Sequence, residues 1–135
     1  MNASHQELID SLPDRFDVLQ AKLENRQASS REALEFAIMC IECWIERQPP
    51  SLQHVIYSWL EATYAVAASP TCDHVSAAHW GLRKHSLCPM MFWVQLCAAR
   101  MNYFAPDAVV VYDSRNPVHN AAEAAMLAWK LLEHE

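Results

Sequence analysis

The sequence predicts an all-α fold, a single-domain helical bundle of five to seven antiparallel helices over residues 1–135, with repeat-like helix hairpins as the variant architecture. Two observations carry this expectation. Gly81 is the only glycine in 135 residues, so the chain has almost no material for tight hairpins or left-handed turns. Most of the seven prolines stand between long segments whose apolar residues recur at helical spacing, as breakers between helices would. Helix pairs arrive at roughly 20-residue intervals, but the intervening positions do not repeat, which favours a bundle over a solenoid.

Ser4 and Glu7 make a capping-box pair, and Ile9, Leu12, Phe16, Leu19 and Leu23 form the first stripe. Pro13 interrupts it, predicting a kink or a restart capped by Ser11. The second helix starts at a better box, Ser29 with Glu32, and runs along Leu34, Ile38, Ile41 and Ile45 to Pro49-Pro50. Ser51 is the expected cap of the third, whose face is Leu52, Ile56, Trp59, Thr63 and Val66 before Ser69-Pro70. Asp73 should cap a shorter fourth helix ending near Lys84.

Pro89 suits the first turn of a fifth helix reaching Phe104, with Met90, Val94, Cys97, Met101 and Phe104 on one face. Met91, Phe92, Trp93 and Leu96 cover its opposite side, the pattern of a central buried helix or a docking surface. The last helix has Asn116 as cap, Pro117 at its first position and a stripe of Val118, Ala122, Ala125, Trp129 and Leu132. Between them, residues 107–113 are the one strand-like run, an edge without an evident intrachain partner.

Composition narrows the function classes. A net charge of −6 and no basic run longer than Arg83-Lys84 exclude a nucleic-acid footprint and suit a basic protein partner. No apolar run approaches the roughly 20 residues that span a bilayer, and the N-terminal residues lack a signal-peptide pattern, so the expectation is a cytoplasmic chain without membrane contact. Five cysteines cannot all pair within one chain, and reduced thiols are expected.

Three clusters could carry chemistry. Cys72, His74, His79, His85 and Cys88 supply thiolate and imidazole donors for zinc, although no CxxC or HxxxH frame holds them. Cys40 and Cys43 form a CxxC in mid-helix, where the helix dipole cannot activate a thiol, so buried inert cysteines are expected. Asp113, Ser114, Arg115 and His119 make a small polar group at the start of the last helix, which capping explains. No catalytic motif accompanies them, no cofactor is implied, and Glu35, Glu42 and Glu46 read as the solvated side of the second helix.

The function expected is therefore a non-enzymatic protein-protein interaction module of chaperone, immunity or adaptor type, with a homodimer as one form of partnership. Its contact surface is expected at Trp80, Met90, Met91, Phe92, Trp93 and Tyr103, where aromatic anchors and adaptable methionines combine. Met39 and Met101 would extend it, and Trp44 and Trp80 are the tryptophans expected near a rim. The alternative is a small metal-binding enzyme or sensor built on the Cys72–Cys88 cluster, and a third reading is an assembly subunit joined through the valine run.

Overall fold

The longest helix is also the best specified. A computed structural model describes residues 15–85, 88–110 and 121–134, with the side chains of 83–85 outside that description. The described residues form seven helices: α1 Phe16–Glu24, α2 Ser30–Glu46, α3 Pro50–Trp59, α4 Glu61–Ala68, α5 Cys72–His85, α6 Pro89–Ala99 and α7 Ala121–His134. The Ser29 hydroxyl accepts from the Glu32 amide at 3.1 Å while Glu32 Oε1 accepts from the Ser29 amide at 3.0 Å, so the capping box forms as its spacing predicts.

The all-α bundle is the architecture observed, and its order in space follows from burial. Both α2 and α6 bury most of their residues. The first packs against α1, α3, α4, α6 and α7, and the second against α2, α4, α5 and α7. Phe36, Ile38 and Ile41 of α2 and Met91, Val94 and Cys97 of α6 are almost wholly buried. The alanines of α7, at 121, 122, 124, 125 and 128, are all within the core, and small side chains let this helix lie close to both. On the outside of α2 and α7, Phe16 anchors α1 by stacking at 5.4 Å from Phe36 and from Trp129.

Several helix ends differ from their sequence-based placement. The third segment starts at Pro50, with Pro49 at the cap position and Ser51 already inside the first turn. It also breaks in two: Leu60 adopts φ −88°, ψ 3°, and α4 begins after it. Asp73 lies in the first turn of α5, and Thr71 does the capping instead, its hydroxyl accepting from the His74 amide at 3.2 Å. The fifth segment stops at Ala99, well short of Phe104, because residues 102–105 turn back on themselves, with Asn102 Oδ1 accepting from the Ala105 amide at 3.2 Å. The predicted starts at Ser4, Ser11 and Asn116 lie outside the described residues.

The strand-like run finds a partner within the chain. Its described part crosses the entrance of α2, where Val109 forms a single antiparallel bridge with Ser29 and the Val110 amide donates to the Ala28 carbonyl at 2.9 Å. Beside it the Arg31 amide donates to the Pro106 carbonyl at 3.1 Å, and the Ser30 hydroxyl accepts from the Asn102 amide at 3.1 Å. Helical periodicity is lost here because backbone groups of the connection serve the buried first turn of α2.

With one glycine placed elsewhere, the exit of α1 uses an arginine in the left-handed region. Arg26 has φ 57°, its amide donates to the Leu23 carbonyl at 3.2 Å and the Gln27 amide to that of Lys22 at 2.8 Å, the bonding of a Schellman turn. A side chain at this φ costs about 1 kcal/mol or more relative to glycine. Arg26→Gly is expected to raise the unfolding free energy by roughly 1 kcal/mol, read as a higher denaturant midpoint at constant slope. A lowered midpoint would show that the arginine side chain contributes more than its backbone strain costs.

Candidate functional site

Antiparallel packing of α5 on α6 places the residues expected to contact a partner, and it separates them into two groups. Met90 and Met91 are core residues, 2% and 0% exposed, and so are Met39 and Met101. They fill the space around α6 and are not available as surface contacts, a correction that follows from α6 being enclosed by four helices. Phe92 and Trp93 are half-buried, packed on the core and against each other edge to face at 4.9 Å. Trp80 stands out from α5 at 56% exposure. Trp44, also expected near a rim, is buried.

Tyr103 lies beyond the end of α6 and is partly buried, with its ring 4.5 Å from that of Phe104. The neighbouring Cys72 thiol at the start of α5 holds its phenol above the ordinary value. Phe104 is 87% exposed, the most exposed large apolar side chain among the described residues. Helical periodicity had assigned it to the buried face of α6. The signal available for its true place is the turn-forming Asn102 together with Ala105-Pro106, which ends the helix before the period reaches position 104.

The Cys/His group does not converge. Cys72 and His79 are exposed on α5, and Cys88 is partly buried before α6. His74 Nδ1 lies 2.6 Å from the Ser69 carbonyl, which fixes the proton on that nitrogen and leaves Nε2 as its acceptor. The His85 side chain lies outside the described residues. Among the described residues no three His, Cys, Asp or Glu side chains come together in a metal-holding arrangement. The polar group at Asp113, Ser114, Arg115 and His119 lies outside the described residues.

The CxxC divides rather than pairs in environment. Cys40 is buried and Cys43 is exposed, so only the first is the buried filler expected of both. Burial raises both thiols, and the neighbouring Cys43 and Glu46, respectively, add to the effect. Cys97 is raised by complete burial as well, and its Sγ donates to the Ala121 carbonyl at 3.3 Å. Thiols held above their ordinary value are poor nucleophiles.

The carboxylates of α2 depart most from their expected role. Glu46 is exposed, but Glu35 is buried and pairs with Arg15 at the entrance of α1. Arg15, Lys22, Arg31, Glu32, Glu35 and Asp107 line one small charged recess, in which Arg31 Nε approaches Asp107 at 2.8 Å without hydrogen-bond alignment. Glu42 accepts from the Tyr57 hydroxyl at 2.6 Å and from the Tyr64 hydroxyl at 2.8 Å, tying α2 to both α3 and α4. Burial and this acceptor push both phenols well up. The seven-residue spacing of the tyrosines, two helical turns, was the sequence signal for a shared target.

Comparison with protein-family models, curated protein sequences and solved structures finds no match to this chain.

Two consequences are testable by denaturation. Burial raises Glu35 above its ordinary 4.5 despite the opposing Arg15 and Arg31, whereas burial of Glu32 is outweighed by Lys22 and Ser29, which lower it. A carboxyl with a raised folded-state value costs stability as pH rises through the interval between its unfolded and folded values. Glu35→Gln is expected to abolish that decline, seen as a flatter midpoint-against-pH curve just above the ordinary carboxylate range. Glu42→Ala should destabilise by about 2 kcal/mol, because the buried Tyr64 hydroxyl loses its charged acceptor. Urea titration checks it, and Tyr57→Phe should cost less because that hydroxyl is nearer solvent.

Proposed function

We propose that this chain is a non-enzymatic protein-binding module whose contact surface is carried by the α5–α6 hairpin and the turn that follows it. The observation that supports the reading is the outward placement of Trp80 and Phe104, large aromatic side chains held on a tightly packed scaffold. Tyr103 supports Phe104 by ring contact, and Phe92 and Trp93 contribute the half-buried margin. Tryptophan and other aromatics supply binding energy at low entropic cost when the scaffold already orders them.

The net charge of −6 favours a basic partner through long-range steering, with the aromatic contacts setting the residence time. Chaperone, immunity and adaptor roles all use such a surface, and a second copy of the chain is the simplest self-partner. The paired charges at the α2 entrance and the Glu42–tyrosine group serve folding, and neither presents an activated nucleophile beside a base.

The test is capture from the source-cell extract with the wild-type chain and with Trp80→Glu and Phe104→Glu. The expected result is one stoichiometric partner, or a concentration-dependent dimer, lost in the charged variants while far-ultraviolet circular dichroism stays unchanged. A partner retained at wild-type level by both folded variants would place the binding surface elsewhere.

A further inference from the structure

The turn between α1 and α2 is made of residues that do not demand one. Asn25, Arg26 and Gln27 are all exposed, and none of them is glycine or proline. The bend depends on Arg26 at φ 57°, a region that glycine enters freely and arginine does not. The backbone bonds that close it are local, the Asn25 amide donating to the Ala21 carbonyl at 3.0 Å beside the two bonds of the Schellman turn. Immediately afterwards the chain is anchored. Ala28, Ser29 and Ser30 are buried, and the connection after α6 bonds to Ala28 and to the first turn of α2. The exposed link is therefore a short hinge with one fixed side.

On its other side stands α1, whose nine residues are too few to stay helical alone in water, so the helix depends on a packing surface. The contacts that supply this surface lie beyond the hinge. Leu19 and Leu23 are buried, and Phe16 stacks on Phe36 of α2 and on Trp129 of α7. Arg15 and Lys22 pair with Glu35 and Glu32 of α2, so the match is of charge as well as of shape. A second copy of the chain presents the same apolar groove and the same two carboxylates.

We infer that α1 exchanges between two copies of this chain, each α1 seating on α2 and α7 of the other in a two-fold dimer. Every contact just named is restored across the dimer, and Arg26 leaves the left-handed region when the hinge straightens. Short hinges under strain favour such exchange, and here the strain is relieved once in each chain. The translational freedom lost on association opposes it, which places the exchange at high protein concentration. The inference does not depend on the aromatic surface at Trp80 and Phe104.

Sedimentation of the full chain after refolding at millimolar concentration tests it, together with zero-length carbodiimide coupling, which joins a lysine amine to the carboxylate it touches. The expected result is a dimer in which the Lys22–Glu32 link joins two chains, identified by mass spectrometry in the band at twice the chain mass. A dimer formed through Trp80 and Phe104 keeps that link within one chain, so the two associations are told apart, and Trp80→Glu leaves the exchanged dimer intact. Arg26→Gly is expected to raise the dimer dissociation constant roughly 25-fold, about a factor of five for each hinge whose closed form no longer carries strain. A wild-type chain that stays monomeric, or a dimer whose Lys22–Glu32 links fall within one chain, would overturn the inference. So would an Arg26→Gly variant that dimerises as well as the wild type.

Discussion

Enclosing α2 and α6 on nearly all sides imposes the requirement that shapes the rest of the molecule: the backbone groups at their ends must find partners inside the protein. At the entrance of α2 two devices meet that requirement together. The capping box takes the Glu32 amide, and the connection after α6 takes the Arg31 amide through the Pro106 carbonyl. The same connection is held by the Ser30 hydroxyl and by the bridge at Val109. Locking this corner ties the entrance of α2 to the connection that leaves α6 by backbone bonds, while α7 is held to both helices by packing.

Charge is distributed by the same logic. The carboxylates of α2 that face other helices are each given partners, Glu35 an arginine and Glu42 two phenols. A buried ionised carboxylate without such partners would be expensive, and these pairings are therefore conditions of the fold more than sources of net stability. The tyrosine pair also spans the break at Leu60, holding α3 and α4 to α2 where a continuous helix would have supplied the rigidity.

The fold class was legible because its causes are local. Scarcity of glycine, proline spacing and apolar period act on neighbouring residues, and so does the Ser29–Glu32 box, which forms as read. The exposure of the aromatic and methionine side chains was legible only in part. Trp80 lies on a helix whose polar side could be read from its neighbours, whereas Met90 and Met91 lie on a helix apolar all round. Such a pattern is the same for a core helix and for a docking helix, and the number of helices that enclose it makes the difference. Phe104 was misplaced because the apolar period continues for one turn after the helix has ended.

By itself the sequence determined the helical class, the capping of α2 and the close approach of α7 through its alanines, since each rests on propensity or on spacing along one helix. Tertiary structure alone decided that Glu35 is an interior group, that Glu42 is the shared acceptor of two tyrosines, that Thr71 replaces Asp73 as a cap, and that the valine run lies across the α2 entrance. Each of these depends on which groups from distant parts of the chain occupy the same small volume, and burial and hydrogen-bond partnership are properties of that volume.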